Sequence, residues 1–223
     1  WLSATDLHTV LAGQHVLRGV SLSVDAGECV GLLGRNGMGK TTLLRTLLGL
    51  ARARSGRVAI AGRDCTGERT DRIVRLGIGY VPEGRGIFPN LTVRENLIMA
   101  ARPGVEGRRD WTLERVLSTF PSLQARLANA GWQLSGGEQQ MLTIGRALMT
   151  NPDLLILDEA TEGLAPQVAR EIWRIVADLR VHGMAAVIVD KNHAAVAAVA
   201  HRNVILVKGR VVFDGDGASL LSQ

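Results

Sequence analysis

The alternation of apolar and polar positions along the chain predicts strands and helices in succession. Continuous apolar runs at 29–33, 154–157, 185–189 and 204–207 are typical of strands that are buried on both faces. Between the second and third of these runs, residues 168–180 repeat apolar side chains at helical spacing. Strands that alternate with helices predict the α/β class, with a parallel sheet covered by helices.

Shorter patterns fill the first half of the chain. Strand-like runs at 16–24 and 57–61 are followed by a third at 78–82, which a proline ends. The spacing of apolar residues then predicts helices at 91–100 and at 113–127, and a proline interrupts the second of these segments. We therefore expect one domain over residues 1–223, with a helical subdomain inserted at about residues 88–135.

Composition places the chain among ordinary globular proteins. It has 223 residues, of which 46% are apolar, so a substantial core is available. The formal net charge is +5, which on its own would also suit a nucleic-acid or anionic membrane surface. The basic residues are dispersed and form no block of about five like charges, which favours solvated faces. We expect no nucleic-acid partner.

Two further features concern the compartment. Cys29 and Cys65 lack metal-ligand spacing, as in a reduced cytosolic chain. No apolar run approaches the roughly 18 residues that a membrane-spanning helix requires. We therefore expect a chain that does not cross a membrane by itself.

Residues 34–42 carry the clearest chemical motif, with the sequence GRNGMGKTT. It fits the phosphate-binding pattern G-x-x-x-x-G-K-[ST] and lies between an apolar strand and the start of a helix near Leu43. The glycines let backbone N–H groups point at phosphate oxygens, and the helix N-terminus adds partial positive charge. Lys40 would reach the β- and γ-phosphates, and the Thr41 hydroxyl would ligate Mg²⁺. The candidate nucleotide-binding residues are Gly34, Arg35, Asn36, Gly37, Met38, Gly39, Lys40, Thr41 and Thr42.

Two acids follow the apolar run 154–157. They lie at the carboxyl end of a buried strand, which is where parallel sheets bind ligands. Asp158 suits Mg²⁺ binding, and Glu159 suits a general base that activates the attacking water.

A second anion-binding turn is predicted at residues 134–140, with the sequence LSGGEQQ. A Ser-Gly-Gly turn that opens a helix presents free N–H groups to an anion. Its candidate ligand-binding residues are Ser135, Gly136, Gly137 and Glu138. Two separate phosphate-binding turns in one chain are hard to explain unless two copies face each other.

These motifs, in this order and at this spacing, resemble those of the ATP-binding cassette (ABC) ATPases, the nucleotide-binding subunits of ABC transporters. The resemblance covers essentially the whole chain and includes segments 80–83 and 160–166. It implies a P-loop NTPase (RecA-like) fold, with a parallel-sheet core, an N-terminal antiparallel β subdomain and an inserted α-helical subdomain. It also implies ATP hydrolysis with Mg²⁺, in a head-to-tail dimer that drives membrane-spanning permease subunits. Each ATP would lie on the phosphate loop of one chain and under Ser135, Gly136 and Gly137 of the other.

A narrower resemblance is visible at 81–97 and 161–166, which look like the branched-chain amino-acid importer ATPases and their relatives for urea and short amides. It implies a peripheral protein at the cytoplasmic face of the plasma membrane, paired with a second copy or, more in keeping with this subfamily, a paralogue. Two alternatives stay open. One is a soluble cassette ATPase that acts on nucleic acid or ribosomes, and the other is an ATP sensor with negligible turnover.

Some residues depart from the wider family's pattern. Glu83 stands where glutamine usually touches Mg²⁺, and Leu11 stands where an aromatic residue usually stacks on adenine. Lys191 falls at the position of the family's switch histidine. We expect Lys191 to place a flexible point charge near the γ-phosphate, with slower or more loosely coupled hydrolysis. Ala160 and Ala165 replace a usual proline and aspartate.

Overall fold

The computed structural model describes residues 1–217, which form two β-sheets and eight α-helices. Two short 3-10 helices lie at Val105–Gly107 and Gly131–Gln133. In chain order the strands and α-helices are β1 (Leu2–Leu11), β2 (Gln14–Val24), β3 (Cys29–Leu33), α1 (Lys40–Leu47), β4 (Ala53–Ile60), β5 (Arg63–Asp64), α2 (Thr70–Val74), β6 (Ile78–Val81), α3 (Val93–Ala100), α4 (Leu113–Thr119), α5 (Pro121–Ala125), α6 (Gly136–Leu148), β7 (Leu154–Asp158), α7 (Pro166–Val181), β8 (Ala185–Val189), α8 (His193–Val199), β9 (Arg202–Val207) and β10 (Arg210–Gly215).

The larger sheet has six strands in the order β10-β9-β3-β8-β7-β6. All neighbours are parallel except β10, which runs antiparallel to β9. Every residue of β3, β7 and β8 is buried, as their continuous apolar runs predict. The predicted parallel-sheet α/β core is confirmed. Because β3 and β7 both flank β8, their carboxyl ends lie close together at one edge of the sheet.

The smaller sheet is antiparallel, with the order β2-β1-β4-β5. This is the N-terminal β subdomain that the family resemblance implied. The hydrophobic pattern did not predict β1, because a bulge interrupts its alternation around Asp6, whose φ is +49°. It also missed α2 and β10, in which few or no residues are fully buried.

The core lies on both faces of the larger sheet. Alternate residues of β7 belong to different buried clusters: Ile156 packs on the side of α1 and the antiparallel sheet, and Leu155 on the side of α6 and α7. Helix α1 begins at Lys40, three residues before the predicted start, so Lys40 and Thr41 lie in its first turn. The phosphate motif thus lies between the fully buried strand β3 and a helix whose leucines are buried in the core.

Three helices lie between β6 and α6 in the chain. α3, α4 and α5 contribute Val93, Val116 and Leu123 to the cluster that also contains Leu142 of α6. Their residues fall within the stretch 88–135 where a helical subdomain is expected, and we keep that boundary as a proposal. Among residues 1–217, no helix combines the length and the apolar character that crossing a bilayer demands.

Candidate active site

The phosphate loop joins β3 to α1 and depends on glycine at defined positions. Gly34, Gly37 and Gly39 have φ values of +142°, +79° and +105°, which L side chains rarely adopt. A Cβ on Gly34 would lie 2.4 Å from the carbonyl oxygen of Leu206, so this glycine lets the loop approach β9. From the other side, the Gly209 N–H donates to the Met38 carbonyl at 3.0 Å. The turn between β9 and β10 therefore supports the loop.

The Lys40 ammonium lies inside this loop. It donates to the carbonyl oxygens of Gly34 at 2.6 Å and Arg35 at 3.1 Å, and the residue is 7% exposed. Burial lowers the pKa of Lys40, while Glu159 and Asp158 act in the opposite direction. Lys40 is the first residue of α1, so its ammonium and the N–H groups of the helix N-terminus would both attract an anion bound at this loop.

Asp158 ends β7 and is fully buried. Its two carboxylate oxygens accept from the Thr41 hydroxyl and the Tyr80 hydroxyl, each at 3.5 Å. Burial, and next the charge of Glu83, raise the pKa of Asp158. Burial and then Asp158 raise the pKa of Tyr80 to about 12, so the phenol stays protonated and remains a donor.

Glu159 follows in a left-handed backbone conformation, with φ at +52°. Such a conformation costs a non-glycine residue about 1–2 kcal/mol and is found where surrounding structure enforces it. Here the Glu159 N–H donates to the carbonyl of Val189, the last residue of β8, at 2.7 Å. Burial, then the hydrogen bond and charge of Glu162, raise the pKa of Glu159 to about 7. A carboxylate with this pKa accepts a proton more readily than an ordinary glutamate.

Lys191 follows β8 and faces the same carboxylates. Its ammonium donates to Glu162 and lies 3.6 Å from the Glu159 Oε2 atom. The hydrogen bond to Glu162 raises the pKa of Lys191, so the side chain is charged at neutral pH. Thr161 also links the loop after β7 to the residues after β8. Its N–H and its hydroxyl both donate to Asp190, at 3.1 and 2.8 Å.

These segments enclose one cavity of about 340 Å³. Its walls combine the phosphate loop, which carries Lys40, with Glu159, Lys191 and Glu83. The lining residues are Val16, Asn36, Gly37, Gly39, Lys40, Thr41, Thr42, Glu83, Glu159 and Lys191. The fold thus brings together candidate residues from four separate stretches of sequence.

Other candidates do not line this cavity. Leu11, at the tip of the β1–β2 hairpin, is 36% exposed, and it is Val16 from the same hairpin that reaches the cavity wall. Sequence reasoning missed Val16, because no local pattern marks it. It also missed Glu162, although an acidic residue three positions after the candidate base could have indicated a partner for that base.

The segment Ser135–Glu138 also lies away from the cavity. It opens α6 with a capping box, in which the Ser135 hydroxyl accepts from the Glu138 N–H and the Glu138 carboxylate accepts from the Ser135 N–H. Ser135 is exposed, and a Cβ on Gly136 would lie 2.4 Å from the Arg85 guanidinium. At this turn Ser135 is therefore the exposed residue, whereas Gly137 is buried and the Arg85 guanidinium lies against Gly136.

A protein-family model described as ABC transporter matches residues 17–162, which is more than half of the chain. The chain belongs to the ABC transporter family. It is an ATP-binding ATP hydrolase of that family. The resemblance to ABC ATPases drawn from the sequence motifs is confirmed, as is the P-loop NTPase fold class.

Individual relatives differ in the cargo that their names state. The chain is 41% identical over 222 residues to the high-affinity branched-chain amino acid transport ATP-binding protein BraG of Pseudomonas aeruginosa, covering 100% of this chain and 95% of that protein. It is 35% identical over 229 residues to the lipopolysaccharide export system ATP-binding protein LptB of Haemophilus influenzae, covering 100% and 93%. An ABC ATPase solved as a dimer in a post-hydrolysis state, bound to ADP and Pi, superposes with a TM-score of 0.82 at 27% identity, covering 97% of this chain and 98% of that one.

Proposed function

We propose that this ABC ATPase energises an importer of branched-chain or related amino acids. The full-length 41% identity to BraG carries this proposal, together with the narrower motif resemblance at 81–97 and 161–166. An importer for urea or short amides is the second candidate, because the ATPases of such importers share the same sequence motifs. The exporter relative is less similar over the same coverage.

In the proposed mechanism, the phosphate loop binds ATP by its backbone. The N–H groups of residues 34–42 and the first turn of α1 surround the phosphates, and Lys40 exchanges its carbonyl partners for β- and γ-phosphate oxygens. This exchange is favourable because phosphate oxygens are charged acceptors and the loop carbonyls are not.

The residues at the end of β7 suit a magnesium ion. Thr41, Asp158 and Glu83 offer a hydroxyl and two carboxylates, which are the hard oxygen ligands that Mg²⁺ prefers. Asp158 is fully buried, and among residues 1–217 its carboxylate has two hydroxyl partners at the limit of hydrogen-bond distance, so a cation would relieve the cost of burying its charge. When bound, Mg²⁺ supplies charge neutralisation of the β- and γ-phosphates. We propose Thr41, Asp158 and Glu83 as its protein ligands or, through water, its neighbours.

Glu159 is the proposed general base. Its carboxylate points into the cavity and takes a proton from the water that attacks the γ-phosphorus atom. Lys191 also lines the cavity and would supply a second cation where negative charge collects on the γ-phosphate oxygens. To contact the γ-phosphate, Lys191 would have to give up its hydrogen bond to Glu162.

A second cassette completes the proposed site. Ser135, Gly136, Gly137 and Glu138 lie outside the cavity of their own chain, whereas a partner's turn could cover the γ-phosphate of a bound ATP. The dimer solved for a relative at 27% identity supports such pairing. ATP then favours the closed dimer, since it binds that state more tightly than the open one.

Closure would be transmitted to permease subunits at the cytoplasmic face of the membrane. The loop that begins at Pro82 carries Glu83 in the cavity and then borders a groove of about 490 Å³ between β6 and α6. Tyr80 and Pro82 line that groove on one side, and Thr143 and Arg146 line it on the other. A membrane subunit seated there would be coupled to the nucleotide through one short loop.

The first experiment measures molecular mass by light scattering, with and without ATP. We expect ATP and Mg²⁺ to convert the Glu159→Gln variant to a stable dimer, because binding is kept and hydrolysis is slowed. Lys40→Met is the matched control and should stay monomeric. A monomeric Glu159→Gln variant at saturating ATP would reject the homodimer, and the same assay with a co-expressed second cassette would then test the heterodimer.

The proposed cargo is tested separately by uptake. The chain is expressed in a Pseudomonas aeruginosa strain that lacks BraG, and uptake of labelled leucine and labelled urea is measured. We expect leucine uptake to return, and the Glu159→Gln chain to restore nothing. Restored urea uptake without leucine uptake would favour the second candidate.

A further inference from the structure

Two histidines face each other on the antiparallel sheet, outside the ATP cavity. The Nδ1 atom of His8 on β1 lies 3.1 Å from the Nε2 atom of His15 on β2. Their ring centroids are 5.2 Å apart, with an interplanar angle of 33°. Both side chains are reached from solvent, and the His8 side chain is 30% exposed.

A carboxylate fixes the orientation of His8. The other ring nitrogen, Nε2, lies 3.2 Å from the Asp6 Oδ1 atom. Because a carboxylate only accepts, this contact favours the tautomer in which Nε2 carries the proton and Nδ1 has a free lone pair. That lone pair points at His15.

The backbone around this pair is built to allow the contact. Asp6 occupies a β-bulge with a φ of +49°, and its N–H donates to the Ser21 hydroxyl at 3.0 Å, which holds the bulge in place. Opposite it, Gly19 has a φ of +76°, and a Cβ there would lie 3.0 Å from the Asp6 Oδ1 atom and 3.5 Å from the His8 Nε2 atom. A side chain at position 19 would therefore crowd the carboxylate–imidazole contact.

We propose that His8 and His15 bind one divalent transition-metal ion of the zinc type through Nδ1 and Nε2, and that Asp6 orients His8 for this role. Imidazole nitrogens lie about 2.0–2.1 Å from Zn²⁺, so two of them around a tetrahedral ion are roughly 3 Å apart, as these two are. Ligating histidines usually donate their second ring N–H to a carboxylate, which is the arrangement of His8 and Asp6. Water would complete the coordination.

Two arginines, Arg18 and Arg54, lie close enough to His15 to act on it electrostatically. The Arg18 guanidinium also donates to the His15 carbonyl at 3.1 Å, which holds that end of β2. The same arginines repel a dication, so we expect an affinity in the micromolar rather than the nanomolar range.

The site would act on the hairpin that borders the ATP cavity. His15 precedes Val16, which lines that cavity, and Leu11 lies at the tip between the two ligands. An ion held by β1 and β2 would fix the hairpin at this point. The carboxylates near the cavity, Glu83, Glu159 and Glu162, offer oxygens only and form a separate cluster.

The test titrates the untagged full chain, without nucleotide, with ZnCl₂ in competition with a chromophoric chelator. Variants His8→Gln, His15→Gln and Asp6→Asn are compared with His193→Gln, an exposed histidine at the start of α8. We expect one zinc equivalent in the wild type and in His193→Gln, its loss in the two histidine variants, and a weakening of about 10-fold or more in Asp6→Asn. Thermal unfolding of each variant confirms that it is folded.

Electron paramagnetic resonance of the Cu²⁺-loaded chain identifies the donor atoms. We expect hyperfine splitting from imidazole nitrogens that disappears in His15→Gln and persists in His193→Gln. Zinc binding that is equal in all variants would place the ion on the carboxylate cluster and overturn the proposal. So would a wild type that binds no zinc, since the imidazoles would then only hydrogen-bond to each other.

Discussion

The Lys191 ammonium lies 3.6 Å from the Glu159 Oε2 atom and donates a hydrogen bond to Glu162. The three residues come from the loops after β7 and β8, which adjacent parallel strands carry to the same edge of the sheet. Lys191 thus places a positive charge beside the candidate base, and it lines the same cavity. This relationship gives the lysine at the switch position a defined electrostatic partner.

Replacing Lys191 tests whether this cation acts on phosphate. For Lys191→Ala we expect kcat for ATP hydrolysis to fall at least about 10-fold, because charge on the γ-phosphate loses a stabilising cation. The KM for ATP should change less, since Lys40 and the loop remain. His193→Ala, two residues on and exposed, is the control and should hydrolyse ATP normally. Unchanged turnover in Lys191→Ala would remove the lysine from the mechanism.

Two glycines of the phosphate loop separate crowding from backbone strain. Gly34→Ala places a Cβ 2.4 Å from the Leu206 carbonyl oxygen, whereas a Cβ on Gly37 has no neighbour within 4 Å. Both positions have positive φ, which costs alanine about 1–2 kcal/mol. We expect Gly34→Ala to lower the free energy of unfolding by about 3 kcal/mol and Gly37→Ala by about 1 kcal/mol. Urea denaturation measures both, and equal losses would contradict the close approach to β9.

An aromatic residue at position 11 tests the adenine contact that the family resemblance implied. Leu11 is 36% exposed, so a larger ring fits there without displacing the core. We expect Leu11→Tyr to tighten ATP binding by about 5-fold through stacking, an effect of about 1 kcal/mol. Leu50→Tyr is the control, because Leu50 is 53% exposed and outside the cavity. Fluorescence titration with a labelled ATP gives both constants, and equal affinities would place adenine away from the hairpin tip.

The ion pair between Glu28 and Arg202 predicts a pH dependence of stability. The Arg202 Nε donates to Glu28 at 2.8 Å, and both side chains are mostly buried, at 22% and 18% exposure. Burial raises the pKa of Glu28, but hydrogen bonds from Arg202 and the Asp25 N–H outweigh it, so the pKa lies below its ordinary value of 4.5. A depressed pKa contributes stability above the unfolded-state value, and this is lost as the pH falls through the folded-state pKa.

For Glu28→Gln we therefore expect a loss of about 2 kcal/mol at pH 7 and a smaller loss at pH 3. Glu106→Gln, in the exposed 3-10 helix Val105–Gly107, is the control and should change stability little at either pH. Unfolding by urea at both pH values is the measurement. A loss that is equal at pH 7 and pH 3 would mean that Glu28 acts by packing rather than by its charge.

Contiguous motifs could be interpreted from the sequence, because a few neighbouring residues encode both their conformation and their chemistry. The loop 34–42 needs glycines where φ is positive and a lysine where the helix begins, and all of these residues lie in one short continuous segment. The apolar run before Asp158 likewise predicted a strand buried on both faces, with its acids at one edge. Family membership and the fold class followed from such motifs and are confirmed.

Tertiary structure decided which residues from distant segments of the chain lie close together. Val16 lines the cavity, and Leu11 does not, because of how the β1–β2 hairpin lies against the phosphate loop. The partner of Lys191, Glu162, depends on β7 and β8 being neighbours, a consequence of strand order rather than of local pattern. The approach of His8 to His15 depends on the strand register next to a bulge that interrupts the period of two. Register and strand order are set by packing of the whole core, and no short stretch of sequence contains them.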